Sequence, residues 1–271
     1  MKTVNFNRIK IAGAFLLATS FAMGQSAADK RVQAGLTGNF GLNMANMATS
    51  KMDKNGVGTN LSIGVAIHTT FKNSKNLGLA TGLEFDFGSL KYKPAQPTYY
   101  GYNDTDVMSK ENANDAVATF QLTERTQKPL YATIPLMFLF KTDFIGDFRY
   151  YGKFGVRNSF LISQKINDEG TEFTNPLLIN GTARSNENMK APGEMFFYNG
   201  SIGLAAGAEW NFVGSTCLTA EIGYFYGITP LYLDRNDNKK TLYTMDALYN
   251  RTYFSNKANM NQLMLKIAIL F

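Results

Sequence analysis

Residues 262–271 read QLMLKIAILF, and their pattern indicates the kind of fold. One set of alternate positions is large and apolar, namely Leu263, Leu265, Ile267, Ile269 and Phe271. The other set includes Gln262, Met264, Lys266 and Ala268. This alternation predicts a strand with two different faces. Seven more segments alternate in the same way, and they lie within residues 32–44, 60–71, 77–87, 130–140, 148–162, 198–212 and 218–229. The sequence therefore predicts an all-β protein with eight strands.

The connections between these segments alternate in length. Three are short, at residues 72–76, 141–147 and 213–216, and four are longer, at residues 45–58, 91–129, 163–195 and 230–260. Each strand is long enough for the 9–11 tilted residues that cross a bilayer. This layout predicts an eight-stranded antiparallel up-and-down transmembrane β-barrel with three short periplasmic turns and four longer extracellular loops.

Alternation alone would also fit a soluble barrel that buries its apolar face. Two features favour the membrane barrel. The polar face is crowded with Gly, Ala and Ser, which suits a narrow lumen, and aromatic residues such as Phe140, Trp210 and Phe160 lie at the ends of the apolar face. Aromatic girdles of this kind mark the two interfaces of membrane barrels.

Residues 1–24 have the pattern of a secretory signal peptide. Lys2, Arg8 and Lys10 precede an apolar run at residues 11–23, and the small residues Ala22 and Gly24 fit a cleavage site. We expect a mature barrel domain of residues 25–271 in the outer membrane. Removal of the peptide leaves 24 basic and 21 acidic side chains, so the net charge falls from +6 to +3.

Composition excludes several classes of function. The chain has one Cys and one His, so an intrachain disulfide and a multi-thiolate metal site are excluded. No basic cluster indicates nucleic-acid binding. Asp234-Arg-Asn-Asp-Asn238 begins like a calcium loop, but Lys239 and Met245 replace the required Gly and Glu. We therefore expect no metal and no cofactor.

Charged residues on the predicted inward face form a balanced set. This lumen charge set has four acids and four bases, namely Glu84, Asp86, Arg149, Lys153, Arg157, Glu209, Glu221 and Lys266. Eight strands enclose an interior that side chains just fill, and buried charges must be paired. We expect a structural plug, with Lys153 near Glu209 and Glu221 near Lys266; the alternative is a proton or ion path.

His68 and Cys217 give no support to an enzyme. His68 falls on the inward face near the short-turn end, without a neighbouring nucleophile motif, and we expect a neutral, hydrogen-bonded lumen side chain. Nothing near Cys217 in sequence lowers the pKa of a thiol, so we expect it to fill space. The chain is not expected to be an enzyme.

The long loops carry an unusual number of aromatic residues. The candidate partner surface consists of Tyr99, Tyr100, Tyr102, Tyr243, Tyr249, Tyr253 and Phe254. Tyrosines are common anchors in interfaces, but these rings could also pack the loops together or lie at the lipid interface. The dipeptide Asn180-Gly181 also predicts a hairpin above the membrane.

Residues 130–140, LYATIPLMFLF, resemble the Y-x-x-I-P-L signature of the PorT-like outer-membrane barrel family of Bacteroidetes. The terminal strand, which ends in Phe271, resembles the sorting signal of bacterial outer-membrane barrels. The resemblance implies an eight-stranded barrel. The family's named member is an accessory protein of type IX secretion, and most members have no assigned role.

These observations favour one function and leave two others open. The preferred function is an interaction or accessory protein of the cell envelope, monomeric and surrounded by outer-membrane lipid, with other envelope or secretion proteins as partners. The resemblance alone supplies the link to type IX secretion. The alternatives are a narrow channel or transporter for small solutes, and a barrel enzyme, against which the single His68 argues.

Overall fold

A computed structural model describes residues 30–175, 177–213, 216–233 and 236–271. The predicted signal peptide, residues 1–24, lies outside the described residues. Where the chain is described, none of its helices has the length and apolar character needed to cross a membrane.

The described residues form a single antiparallel sheet of fifteen strands. The strands are β1 (Val32–Met47), β2 (Met52–Lys54), β3 (Gly58–Thr70), β4 (Leu77–Gly88), β5 (Leu90–Pro94), β6 (Thr98–Asn103), β7 (Asp106–Val107), β8 (Ala118–Lys141), β9 (Phe148–Phe173), β10 (Thr182–Met189), β11 (Tyr198–Val213), β12 (Thr216–Gly227), β13 (Leu242–Met245), β14 (Arg251–Phe254) and β15 (Ala258–Leu270). Two short 3-10 helices cover Lys110–Asp115 and Asp237–Lys239.

Eight of these strands pair in a closed cycle. The order is β1, β3, β4, β8, β9, β11, β12, β15 and back to β1. These eight contain the eight alternating segments of the sequence. The space that they enclose is called the lumen below.

Seven further strands lie in regions that the sequence predicted to be loops. The prediction missed six of them, because β2, β5, β6, β7, β13 and β14 have only two to six residues, too few for alternation to stand out. The seventh, β10, pairs with the extension of β9 as a hairpin around Asn180-Gly181, where the sequence predicted one. The alternating segments also cover only part of two strands: β8 already begins at Ala118, and β9 continues to Phe173. These extensions bury Phe120, Leu122 and Ile166 in the apolar core of the cap.

The burial pattern of the ring is reversed relative to a soluble protein. Leu61 and Ile63 on β3 are 58% and 59% exposed, and Phe138 on β8 is 53% exposed. Polar Ser62 and Thr133, which point to the other side of the same strands, are fully buried at 0%. Apolar side chains outside and polar side chains inside are the arrangement of a membrane barrel.

The long connections and the extended ends of β8 and β9 form a second body of structure, which we call the cap. Strands β5 and β6 pair with β8, β10 pairs with β9, and β13 joins β6 to β14. The cap has its own apolar core, which includes Tyr92, Tyr100, Phe120, Ile166 and Leu242. The cap is therefore a folded unit above the lumen.

Candidate functional site

The lumen end nearest the short turns is filled around Glu209 on β11. This carboxylate is fully buried and accepts hydrogen bonds from Arg149 at 2.6 Å and Lys141 at 3.0 Å. Gln33 contributes its amide to Glu209 at 3.2 Å and to the sulfur of Cys217 at 3.5 Å. One acid shared by two bases and an amide closes this end of the lumen.

A second group of charges lies at mid-height. The Arg157 guanidinium donates to Glu84 at 2.7 Å and to Asp86 at 2.9 Å. Lys266 binds the other oxygen of Glu84 at 2.5 Å, and Thr133 donates to Asp86 at 2.6 Å. These groups come from β4, β8, β9 and β15, so the network ties opposite walls of the ring together.

A third group connects Lys153, Glu221 and His68. The Lys153 ammonium lies 2.5 Å from Glu221 and 3.1 Å from Nε2 of His68. An ammonium can only donate, so Nε2 accepts and the ring is neutral with its hydrogen on Nδ1. The His68 ring also packs edge-on against Tyr151, with centroids 6.1 Å apart. Nδ1 has no hydrogen-bond partner among the described residues.

The predicted partners within the lumen charge set need correction. Lys153 lies opposite Ala205, whereas Glu209 lies opposite Arg149, so the predicted pairing of Lys153 with Glu209 is wrong. Glu221 does lie opposite Lys266 in the register. The Lys266 ammonium nevertheless binds Glu84 across the lumen. Counting from a turn estimates register on neighbouring strands, but long side chains reach across a narrow lumen.

Sequence reasoning missed Lys141 because it was assigned to a turn. Its parity on β8 matches the inward Thr133 and Tyr131, and continuing the alternation by one residue would have found it. Gln33 was on the predicted polar face, but its contact with Glu209 joins positions 176 residues apart. That contact has no local signal.

The cap contains a buried ion cluster that the sequence did not reveal. Arg125 on β8 is 0% exposed and binds Asp168 through two hydrogen bonds, Nε–Oδ1 at 2.8 Å and Nη2–Oδ2 at 2.7 Å. It also donates to Glu194 at 3.2 Å. Burial lowers the pKa of Arg125, but the charges of Asp168 and Glu194 outweigh burial and raise it above its ordinary value. Arg125 therefore stays charged.

The predicted aromatic partner surface is largely a packing core. Tyr100, Tyr102, Tyr243 and Phe254 are buried, with exposures of 0%, 3%, 1% and 9%, so they cannot form a free surface. Tyr100 packs on Phe120 with ring centroids 5.3 Å apart. For these four residues the structure shows the alternative that the sequence left open, because short strands fold the loops against one another and bury their rings.

The remaining members are more accessible. Tyr99 and Tyr253 are half-buried and lie on either side of Tyr243; the Tyr99 ring stacks on it with centroids 6.1 Å apart, and the Tyr253 ring is tilted against it with centroids 5.0 Å apart. Tyr249 is 55% exposed, and its neighbour Leu248 is 80% exposed. These last two side chains lie at the tip of the β13–β14 hairpin.

Three hydrogen bonds to one carboxylate hold the hairpin tip. The Asp246 carboxylate accepts the backbone N–H groups of Leu248 at 2.8 Å and Asn250 at 2.9 Å, and the Asn250 side chain at 2.8 Å. Tyr249 has φ of 61°, a left-handed conformation that costs a side-chain-bearing residue energy. The turn presents Leu248 and Tyr249 at the end of the hairpin, away from the cap core.

A polar cluster lies beside the buried rings of the cap. Tyr102 donates to Glu172, which also binds Arg184 at 2.7 Å. Burial and the hydrogen bond to Glu172 raise the pKa of Tyr102 to about 12. The hydrogen bonds from Tyr102 and Arg184 lower the pKa of Glu172. This cluster fixes β9 and β10 to the core of the cap.

Open space inside the ring is scarce. A cavity of about 20 Å³ at mid-height is lined by His68, Lys153, Glu221 and Lys266, among others, which is room for about one or two water molecules. In the described part of the chain, no group of three or more His, Cys, Asp or Glu side chains is placed to hold a metal ion. Residues 234 and 235 of the calcium-like segment lie outside the described residues.

The sequence also places the chain among known proteins. Residues 23–233 match the family described as the outer membrane protein beta-barrel domain, and the chain belongs to that family. The protein is accordingly located in the outer membrane, with an all-β antiparallel fold. No curated protein matches the sequence.

Several solved structures are similar to this one. Ail, the attachment invasion locus protein of Yersinia pestis, is 14% identical; the match covers 89% of this chain and 100% of that chain, with a TM-score of 0.34. A major outer membrane protein from Thermus thermophilus is also 14% identical, over 88% and 99%, with a TM-score of 0.34. The outer membrane protease OmpT from Escherichia coli is 10% identical, over 92% and 98%, with a TM-score of 0.39.

Proposed function

We propose that this protein is a monomeric, eight-stranded outer-membrane barrel with a closed lumen, which acts as an interaction or accessory protein of the cell envelope. The observation that carries the proposal is the contrast between the filled lumen and the exposed tip of the cap. Paired charges fill the lumen from Glu209 to Asp86. The cap, by contrast, ends in the exposed side chains of Leu248 and Tyr249 on a hydrogen-bonded turn. The proposal assigns no catalytic residue.

The proposed orientation places the three short turns in the periplasm and the cap outside the cell. Short turns on the periplasmic side and longer loops outside are typical of outer-membrane barrels. Recognition is then expected from the loops, because the barrel wall faces lipid and the lumen is filled.

The proposed contact with a partner protein is the tip of the β13–β14 hairpin. Leu248 and Tyr249 are exposed, and the Asp246 carboxylate fixes their turn before any partner binds. A fixed apolar anchor loses little conformational entropy on binding, which favours affinity. This tip replaces the broader aromatic surface that the sequence predicted.

A link to type IX protein secretion is a narrower form of the same proposal. The support for it is the resemblance of residues 130–140 to the PorT-like signature. Within that segment, Tyr131 is buried at 2% and faces the lumen. In this form of the proposal, the partner is an envelope component of the secretion machinery.

Single-channel conductance in planar bilayers tests the closed lumen. The mature protein should give no steady conductance, because every member of the lumen charge set has an ion pair with another buried group. A second protein with Lys153→Ala and Lys266→Ala serves for comparison. Steady wild-type current that changes in this double variant would replace the accessory function with the alternative, a narrow channel or transporter.

Site-specific photo-cross-linking in cells tests the partner contact. A photoreactive residue at position 248 should link to one envelope protein, and the same residue at Ile145, which is 69% exposed in a short turn at the other end, should not link to it. The product should disappear when Tyr249 is changed to Ala. Equal labelling from both positions would contradict the assignment of the hairpin tip.

A further inference from the structure

Three exposed lysines lie together on the outer face of the sheet, just beyond the apolar band. Lys128 on β8 lies directly opposite Lys165 on β9. Lys91 on β5 lies opposite Thr126, which places it diagonally next to Lys128. Facing residues on paired strands have Cβ atoms about 5 Å apart, and diagonal neighbours are about 7–8 Å apart. The three ammonium groups can therefore converge on one ligand.

Burial shows that these side chains point outward. Arg125 and Gln127 on β8 are buried, so Lys128 points to the opposite face, and Lys91 alternates with the buried Leu90 and Tyr92. A bulge between Leu130 and Tyr131 shifts the register with β9, and after it Ile166 is inward and Lys165 outward. The bulge thus brings Lys165 onto the same face as Lys128.

The height of the cluster matches the lipid head groups. On β8 the outward residues from Phe140 to Leu130 span ten residue steps, which at a tilt near 45° correspond to about 24 Å along the membrane normal. That distance is close to the apolar band of about 25 Å in outer-membrane barrels. Lys128 is the next outward residue, so it lies at the level of the head groups.

The cluster has an unbalanced positive charge. Like charges directly opposite each other on paired strands are destabilising, and the salt bridges of the described residues include none of these three lysines. Among the nearby outward carboxylates, Asp53 on β2 faces a fourth lysine, Lys93 on β5. The other two, Glu124 and Glu169, lie four residues farther along β8 and β9. An anion at the membrane surface would relieve this repulsion.

We infer that Lys91, Lys128 and Lys165 form a binding site for the phosphate groups of a lipid in the surrounding leaflet. Lysine ammonium groups are common phosphate ligands, and their long apolar stems can lie along the barrel wall while the charged ends reach the head group. The site goes beyond the proposed partner contact, because it lies on the lipid-facing wall and does not involve the hairpin tip.

Lipid binding to full-length mature protein in phosphatidylcholine nanodiscs tests this inference. Diphosphoryl lipid A is the probe, and native mass spectrometry measures how much stays bound. The double variant Lys128→Gln/Lys165→Gln should bind the probe at least about tenfold more weakly, since the attraction of each lysine to an anionic membrane surface strengthens binding about fivefold. The matched variant Lys72→Gln/Lys75→Gln removes two exposed lysines at the other end of the barrel and should bind like wild type.

Two further arms identify the ligand. Lipid A without its phosphates should bind both wild type and the double variant equally weakly, and inorganic phosphate should not displace the lipid. Equal affinity of the two double variants for diphosphoryl lipid A would overturn the site, and full displacement by inorganic phosphate would overturn the lipid as its ligand. Heat-modified migration on gels checks that each variant is folded. Failure here would leave conductance and cross-linking at Leu248 unchanged, so the two proposals are tested separately.

Discussion

At the scale of single residues, the interior of this protein depends on charges that are buried and paired with one another. Glu209 is shared by Lys141 and Arg149, and Glu84 is shared by Arg157 and Lys266. Buried ion pairs contribute little net stability compared with an apolar filling, but removal of one partner leaves an uncompensated charge. Replacement of the whole network by apolar side chains would therefore change stability little, whereas loss of a single charged member would lower it strongly.

Replacement of Glu209 by Gln tests this sensitivity. The change leaves Lys141 and Arg149 buried without their carboxylate, and we expect the free energy of unfolding to fall by about 3 kcal/mol or more. Urea titration of the protein in lipid vesicles measures the loss. The same substitution at the exposed Glu187 on β10 should change stability by less than about 0.5 kcal/mol. Equal effects at the two positions would contradict a buried ionic plug.

At the scale of elements, β8 and β9 connect the membrane part to the cap. They pair from Lys141 and Tyr151 at one end to Thr119 and Phe173 at the other, far beyond the segments that alternate in sequence. Strands β5, β6 and β10 add to these extensions. The cap therefore depends on the upper half of this hairpin, whereas the ring depends on its lower half.

A glycine in the extension gives a test of this dependence. A Cβ atom at Gly170 would lie 2.0 Å from the carbonyl oxygen of Gln121, so Gly170→Ala must force β8 and β9 apart locally. We expect faster cleavage of the cap by added protease, while the ring keeps its heat-modified migration on gels. Gly152→Ala on the same strand is the control, because its Cβ would lie 4.0 Å from the nearest atom. Unchanged cleavage of the Gly170 variant would argue against the shared hairpin.

The candidate sites differ in how far the sequence could predict them. Alternation placed Glu84, Asp86 and Lys153 on the inward face, because each strand has only two faces and parity assigns them. It could not choose the ion-pair partners, since Lys266 and Glu84 lie on strands that are not neighbours. Aromatic content identified the loops as unusual, but it does not distinguish rings that are exposed from rings that pack in a core.

At the scale of the whole molecule, closure of the ring separates the polar lumen from the apolar outer face. The first and last strands pair over thirteen positions, from Gly35 with Leu270 to Met47 with Ala258. This pairing leaves no open edge among the eight ring strands, as a lipid-exposed sheet requires.

A disulfide across the closure tests it. Asn43 and Gln262 are register partners that point into the lumen and share a hydrogen bond of 3.0 Å. With Cys217 changed to Ser, the pair Asn43→Cys/Gln262→Cys should form a disulfide on mild oxidation, because Cβ atoms of facing residues lie within bonding range. Mass spectrometry of non-reduced peptides detects it. Asn43→Cys/Lys266→Cys, four residues out of register, should stay reduced; a disulfide there instead would contradict the register.

The class of structure follows from local sequence: period-two alternation specifies which side chains face lipid, and the lengths of the segments specify a membrane-spanning sheet. The use of the loops follows from contacts that form only in the folded chain. Short strands in the cap bury Tyr100 and Tyr243, and Arg125 meets Asp168 and Glu194 from distant parts of the chain. The reason is physical: facing direction is a local property of a strand, whereas burial in the cap and the choice of ion-pair partners arise from contacts between residues far apart in sequence.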